Sequence, residues 1–272
     1  MTEDTARAQH SATAARIYDY LLGGVHNFPA DREIAQTVVA SFPLAQAGIR
    51  ANRAFLQRAV RHLTESGVRQ FLDVGSGIPT VGNVHEIAQA IAPDARIVYV
   101  DTDPVAVSES LSILDGNEHA TAIRGDLLEP DTILDHPQAR GVLDFDQPVA
   151  LLLVALLHFV ADDNAAHAAV DRLRGALATG SYVVISHVTD DGQDFSPDGV
   201  KDVEDAYRSR AATTGRLRSR ADIARFFEGL DLIEPGLVWV PEWRPEPGEW
   251  FVPEFARDPK LSMTLAGVGQ LR

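Results

Sequence analysis

Phe71-Leu72-Asp73-Val74-Gly75-Ser76-Gly77 is an apolar run that stops at an acid and breaks into glycines. About one helix and one strand later, Ile97-Val98-Tyr99-Val100-Asp101-Thr102-Asp103-Pro104 repeats the pattern, an apolar run ending in an acid. Two such strands lying parallel build a nucleoside pocket. The glycines let backbone approach a ligand, and the acid after the second strand accepts hydrogen bonds from a ribose diol. Each acid also has a plainer reading alone: Asp73 as part of a turn, Asp101 as a helix cap (a role that suits Asp103 better), and Asp126, in the later run Arg124-Gly125-Asp126-Leu127, as a loop acid. Their succession along the chain is what points to a nucleoside site.

Working outward, the chain alternates. Strands are predicted at about 69–74, 96–101, 119–124, 148–154 and 181–187, from short apolar runs bounded by turn residues. Helices are predicted between them at about 80–91, 104–114 and 163–177, the first opened by Pro79. Such alternation predicts a mostly parallel sheet covered on both faces. After helical patterns near 199–211 and 219–228, strands at 237–240 and 263–268 predict an antiparallel closure. That makes an α/β, doubly wound, Rossmann-like sheet of seven strands with an antiparallel C-terminal strand. Residues 241–259, rich in Pro, Trp and Glu, read as an ordered irregular loop. Trp239, Trp243 and Trp250 either form an aromatic wall or pack the closing strands. Before the alternation come a frayed tail over 1–10 and three helical patterns, from Ser11 to Gly23-Gly24, near 31–40 and near 49–65. The expected division is a helical cap over 1–66 and a Rossmann-like unit over 67–272.

The bulk numbers narrow the function. The 272 residues carry 24 basic and 39 acidic side chains, a net charge of −15, which disfavours a nonspecific grip on nucleic-acid phosphates. A local basic patch stays open, because Arg208 to Arg225 holds six arginines. With no cysteine, thiolate catalysis and Cys-ligated metals are excluded. The start, Met1-Thr2-Glu3-Asp4, lacks a signal-peptide pattern, and the apolar run from Val149 to Val160 is too short to span a bilayer. A cytoplasmic protein without membrane or nucleic-acid partners is the expectation. His85 and Glu86 are adjacent rather than four apart, so they share no helix face for a metal, and no metal site is expected.

The glycine run argues against a dinucleotide. Gly75-Ser76-Gly77-Ile78-Pro79-Thr80 has Thr80 where the third fingerprint glycine belongs, and Pro79 removes a phosphate donor. A nicotinamide dehydrogenase is therefore the weaker alternative. The run Leu72 to Gly77, then Tyr99 to Pro104, then Arg124-Gly125-Asp126-Leu127, then Leu156-Leu157-His158-Phe159-Val160 resembles the class I S-adenosylmethionine-dependent methyltransferases in order and spacing. More narrowly, Arg16-Ile17-Tyr18-Asp19-Tyr20-Leu21-Leu22-Gly23-Gly24, Ala51-Asn52-Arg53-Ala54-Phe55-Leu56 and Ala266-Gly267-Val268-Gly269 resemble an actinobacterial S-adenosyl methyltransferase family once labelled a domain of unknown function.

The resemblance implies S-adenosyl-L-methionine as cofactor and assigns roles. Gly75, Ser76 and Gly77 would face its methionine part and Asp73 its ammonium. Asp101 would accept the ribose hydroxyls, and Thr102 would lie against adenine. Asp126 and the Leu127 N–H would meet the adenine edge. Ala155, Leu156 and His158 would line the pocket floor, although a His after the fourth strand often just closes a turn, and a catalytic role is its third reading. The first helix, with the Gly23-to-Phe28 loop, would cover the cofactor mouth through Tyr18. Asn52 and Arg53 would sit near the cofactor carboxylate or pair with surface acids. Tyr20 and His187 are tentative substrate-pocket residues, His187 having a satisfied core histidine as its alternative. No catalytic residue is assigned, because no base–nucleophile constellation is present. The implied reaction is methyl transfer to a small-molecule acceptor. A non-catalytic sensor or scaffold that only binds the cofactor is the alternative.

Overall fold

The computed structural model describes residues 11–80, 82–192, 197–210, 215–246 and 252–272. The expected tail at 1–10 and Trp250 lie outside them. Three helices come first: α1 (Ala14–Leu22), α2 (Pro29–Ser41) and α3 (Ala45–Glu65). Thr13 caps α1 by accepting from the Arg16 N–H, and Gly23 ends it in the left-handed region with φ 89°. The alternating part follows as β1 (Gln70–Val74), α4 (Val84–Ile91), β2 (Arg96–Asp101), α5 (Pro104–Ile113), β3 (Ala120–Arg124), α6 (Pro130–Leu134), α7 (Pro137–Val142), β4 (Ala150–Val154), α8 (Asp163–Arg174) and β5 (Tyr182–Val188). The end is α9 (Pro197–Arg210), α10 (Arg220–Arg225), β6 (Asp231–Leu232), β7 (Val238–Trp239), α11 (Pro253–Arg257) and β8 (Thr264–Gln270).

The sheet runs β3-β2-β1-β4-β5-β8-β6, with β7 also on β8. The first five strands are parallel, and β8 is antiparallel to β5 in register Ile185 to Gly267. Among the described residues there are eight strands rather than the expected seven. The outer edge is split into β6 and β7 because a turn intervenes, closed by Gly236 N–H to Ile233 O at 2.8 Å. Pro235 within that turn has no N–H to give the ladder.

Alternation along the strands feeds two cores. Phe71 joins α3 residues Phe55, Ala59 and Leu63 on one face, while Leu72 and Val74 meet α8 residues Ala169, Val170 and Leu173 on the other. A third cluster ties α1 to α2 through Ile17, Leu21, Ile34 and Ala35. Gly267 and Gly269 in β8 let the chain after α10 approach closely, since a Cβ on Gly269 would lie 2.9 Å from Leu230.

Three local expectations need correction. α4 starts at Val84, with Asn83 as its cap, not at Pro79. Gly77 (φ 68°) and Gly82 (φ 71°) lie in the left-handed region, and the described residues 78–80 after Gly77 are not helical. Residues 130–142 contain two short helices that no apolar period announced, each opened by a proline at its first position. The stretch 241–259 is not wholly irregular, since its described residues include the end of a 3-10 turn at Val240–Glu242 and then α11. Trp243 is buried edge-on to Phe55 at 5.3 Å, and Arg58 donates to its carbonyl at 2.7 Å. Trp239 lies under the Arg220 guanidinium. Both pack the closing region and line neither cavity described below.

Candidate functional site

In an open parallel sheet, ligands sit beyond the carboxyl ends of the strands where the strand order reverses. Here that point lies between β1 and β4, since β2 and β3 extend the sheet on one side of β1 and β4 and β5 on the other. A cavity of about 540 Å³ opens there, within the range of small-molecule sites. Ten of the sequence-predicted residues line it: Tyr18, Asp73, Gly75, Ser76, Asp101, Thr102, Asp126, Leu127, Ala155 and Leu156. Strands β1, β2 and β4 end at this cavity, and the segment after β3 contributes Gly125 and Asp126.

Asp101 organises the floor. Its Oδ2 accepts the Gly77 N–H at 2.8 Å and its Oδ1 accepts the Asp103 N–H at 2.8 Å. Gly77 therefore shapes the loop from outside the lining. Gly75 has φ 71°, and a Cβ there would sit 2.5 Å from Leu156 Cδ1. Burial pushes the Asp73 carboxyl up to about 7, opposed by the Arg53 guanidinium. Burial likewise pushes Asp101 up to about 6, with backbone donors opposing it and the Asp103 charge adding to it. Asp73, Asp101 and Asp126 outnumber Arg53 in the lining, so the cavity suits a cation with hydroxyl and amino donors.

The roof comes from α1 and α3. Thr13 Oγ1 donates to Asp103 Oδ2 at 2.6 Å, and Arg16 Nε lies 3.3 Å from the same oxygen and 3.5 Å from Asp31 Oδ1. These buried groups fix α1 to the end of β2. Sequence reading missed Thr13 as a wall residue; Asp103 was legible only as the α5 cap, which it is, accepting the Val105 N–H at 2.9 Å. Tyr18 OH receives Asn52 Nδ2 at 3.1 Å and donates towards Ile49 O at 3.3 Å. Asn52 and Arg53 both line the cavity. Arg53 also donates to Asn83 Oδ1 at 2.9 Å. The Gly23-to-Phe28 loop, expected over the mouth, lines neither cavity. Asp19 Oδ2 ties it back onto α1 by accepting from His26 N and Asn27 Nδ2, both at 2.9 Å.

Three expected residues lie elsewhere. His158 lines a second cavity of about 220 Å³ rather than the first. Tyr20 lines neither and packs on the α1–α2 cluster. His187 is fully buried, its Nε2 2.9 Å from Arg218 Nη1 and its Nδ1 2.6 Å from Val188 O. It is the satisfied core histidine of the two readings, with burial pushing it down to about 3. Arg216 and Arg218 pair with Asp163, which removes them from any basic patch. The side chains of Arg208 and Arg210 are not among those described. His85 is spent on Tyr99, its Nδ1 2.8 Å from the phenol oxygen. Among the described residues no cluster of His, Asp and Glu has metal-binding geometry, and no helix is long and apolar enough to cross a membrane.

The S-adenosyl methyltransferase family model matches residues 2–272. The chain belongs to that family. Its cofactor is S-adenosyl-L-methionine, a cation with a ribose diol and an adenine amino group, which the acid-rich lining and the close approach at Gly75 fit. A Thermobifida fusca YX structure described as a candidate methyltransferase is 36% identical, with a TM-score of 0.88 over 98% of this chain and 97% of that one. A DUF574 family protein from Streptomyces avermitilis MA-4680 is 40% identical, with a TM-score of 0.87 over 97% and 99%. An O-methyltransferase family protein from Burkholderia thailandensis, 15% identical with a TM-score of 0.52 over 89% of this chain and 59% of that one, shares the fold alone. No curated protein matches the chain.

Proposed function

We propose that this S-adenosyl methyltransferase transfers a methyl group to a small molecule, holding the donor in the first cavity and the acceptor in the second. The observation that carries this reading is the meeting of the two cavities. Tyr18, Asn52, Ala155 and Phe159 belong to the walls of both. A protein that only sensed the cofactor would need no second chamber at that wall.

When bound, S-adenosylmethionine supplies a methyl group on a sulfonium, already activated for displacement. The chain's part is alignment and exclusion of water. In this reading Asp101 accepts the ribose hydroxyls, and Thr102 lies against adenine. Asp126 and the Leu127 N–H meet the adenine edge. Asp73 holds the ammonium, with Asn52 and Arg53 close to the carboxylate. Gly75, Ser76 and the loop held by Gly77 make room for the methionine chain, while Ala155 and Leu156 form the floor. Tyr18, on the cap formed by residues 1–66 over the unit 67–272, closes the wall towards the acceptor. No side chain here combines an exposed base with a nucleophile partner, so catalysis by positioning is the expectation.

The test is incubation of the protein with methyl-labelled cofactor and a small-molecule extract. Label in a product below about 1 kDa supports the reading. Label only in protein or nucleic acid overturns the acceptor class, and cofactor binding with no labelled product from any extract supports the sensor instead.

A further inference from the structure

The second cavity is bounded by α1, α2, α3, the turn after β4, α9 and the chain entering β8. Its described lining contains no Asp, Glu, Lys or Arg. Ile17, Leu21, Phe42, Ile49, Leu217 and Met263 make it largely apolar. An ionised ligand there would lose its hydration without a countercharge. Tyr18, Asn52, His158, Tyr207, Ser262 and Thr264 are its polar members. Asn52 Oδ1 and His158 Nδ1 are each buried without a hydrogen-bond partner among the described residues, and of the two residues only His158 stands outside the lining of the first cavity. An unmet buried nitrogen is costly in a native protein, and a ligand donor would relieve it.

The surroundings set the charge of that ring. The ring of His187 lies 5.5 Å away. Arg218 Nη1 must donate to His187 Nε2, so the His187 proton sits on Nδ1 and goes to Val188 O. Arg218 is itself held by the carbonyls of Leu157 and Val160, both at 2.8 Å, and by Asp163. Burial above all, then His187 and Arg218, hold the His158 pKa well below that of a free imidazole. The ring stays neutral and keeps one acceptor nitrogen.

We propose that the second cavity binds an uncharged, mainly apolar small molecule bearing a hydroxyl or N–H group, and that Nδ1 of His158 accepts that hydrogen. This names the acceptor class and rests on the reading of the first cavity as the methyl-donor site. His158 acts as a recognition contact, because a site that disfavours its charged form makes it a poor store for a proton.

The probes are 2-naphthol, its methyl ether and 2-naphthoate, titrated calorimetrically into the full chain saturated with S-adenosylhomocysteine. Naphthol is expected to bind, the ether about tenfold more weakly for want of the donor, and the carboxylate not measurably. In the imidazole nitrogen spectrum, naphthol should move the acceptor nitrogen of His158 and leave the signals of His187 in place. His158→Ala should erase the preference for naphthol over ether. Leu217→Trp, which fills only the second cavity, should abolish naphthol binding with S-adenosylhomocysteine affinity unchanged. Naphthoate binding as tightly as naphthol, equal binding of naphthol and ether, or no binding of any probe overturns the inference. Failure of S-adenosylhomocysteine to bind sinks the reading of the first cavity instead. Naphthol binding that survives Leu217→Trp also counts against the second site.

Discussion

Gly77 donates its backbone N–H to Asp101 Oδ2 at 2.8 Å, so the acid that ends β2 holds the glycine loop that leaves β1. Asp101 therefore shapes the loop, and in the proposed donor site its remaining lone pairs would accept from a ligand diol. Removing the carboxylate unpins the Gly77 and Asp103 amides together. Asp101→Ala is expected to weaken S-adenosylhomocysteine binding by roughly 2–3 kcal/mol, about a hundredfold, the loss of several charge-assisted hydrogen bonds. Calorimetric titration checks it, and a change under about threefold would remove Asp101 from the binding site.

The raised carboxyls make binding depend on pH. Asp73 titrates at about 7 and Asp101 at about 6 in the free protein, both pushed up by burial from an ordinary 3.8. Between that ordinary value and the raised ones the folded chain keeps protons the unfolded chain has released. These groups thus favour the fold at the acid end, and the contribution is lost as pH climbs through 6 to 7. A ligand ammonium needs the ionised form of Asp73, so affinity should rise from pH 6 to pH 8, with a proton release by Asp73 that is close to one at pH 6 and fades towards pH 8. Titration in two buffers of different ionisation enthalpy measures that release. Asp73→Asn should flatten the profile and lower the affinity at pH 8, and a flat profile in the unaltered protein defeats the assignment.

The strands that carry the site were readable because they are buried on both faces and end abruptly. Phe71-Leu72 runs apolar up to Asp73 and Ile97 to Val100 up to Asp101, and the succession of the two is what marked the site. Asp126 was readable only by its place after β3. What escaped reading is long-range or conformational. The second cavity draws Ile17, Phe42, Tyr207 and Met263 from four distant segments, and no local period links them. The pairing of Arg16 with Asp103, and the contact that satisfies His187 through Arg218, likewise join residues far apart in sequence. Helices α6 and α7, five and six residues long, are too short to show an apolar period. The loop from Gly23 to Phe28 was misplaced because nothing in its sequence says that Asp19 turns back to hold it.

The buried cation of α1 gives a stability prediction. Arg16 lies between Asp31 and Asp103 with about 1% of its surface exposed. Replacing it by Met keeps the stem's packing but leaves two buried carboxylates without their partner, which costs about 3 kcal/mol or more. For a chain of this size that corresponds to a melting temperature lower by roughly 10 °C. Because Thr13 and Tyr18 lie on the same segment, S-adenosylhomocysteine affinity should fall as well. Amide exchange in α1 should become faster in Arg16→Met and slow again when the ligand is added. A thermal melt unmoved by the substitution would show that α1 is held by its apolar face alone.

Ala155 tests the wall between the cavities. Its φ of 54° lies in the left-handed region, which costs a non-glycine residue about 1–2 kcal/mol. The conformation is held by its N–H, which reaches Ser186 Oγ at 2.9 Å and Ser186 O at 3.2 Å. Ala155→Gly relieves the strain but adds roughly 0.5–1 kcal/mol of chain entropy to be lost on folding. The two terms nearly cancel, so the melting temperature should shift by only a few degrees. Ala155→Val keeps the strained φ and adds a branched side chain, for a stability loss of about 2 kcal/mol or more. It also thickens the wall shared by both cavities. Binding of S-adenosylhomocysteine and of 2-naphthol should therefore both weaken in Ala155→Val, while Ala155→Gly retains both. If Val weakened neither ligand, Ala155 would not stand where the two chambers meet.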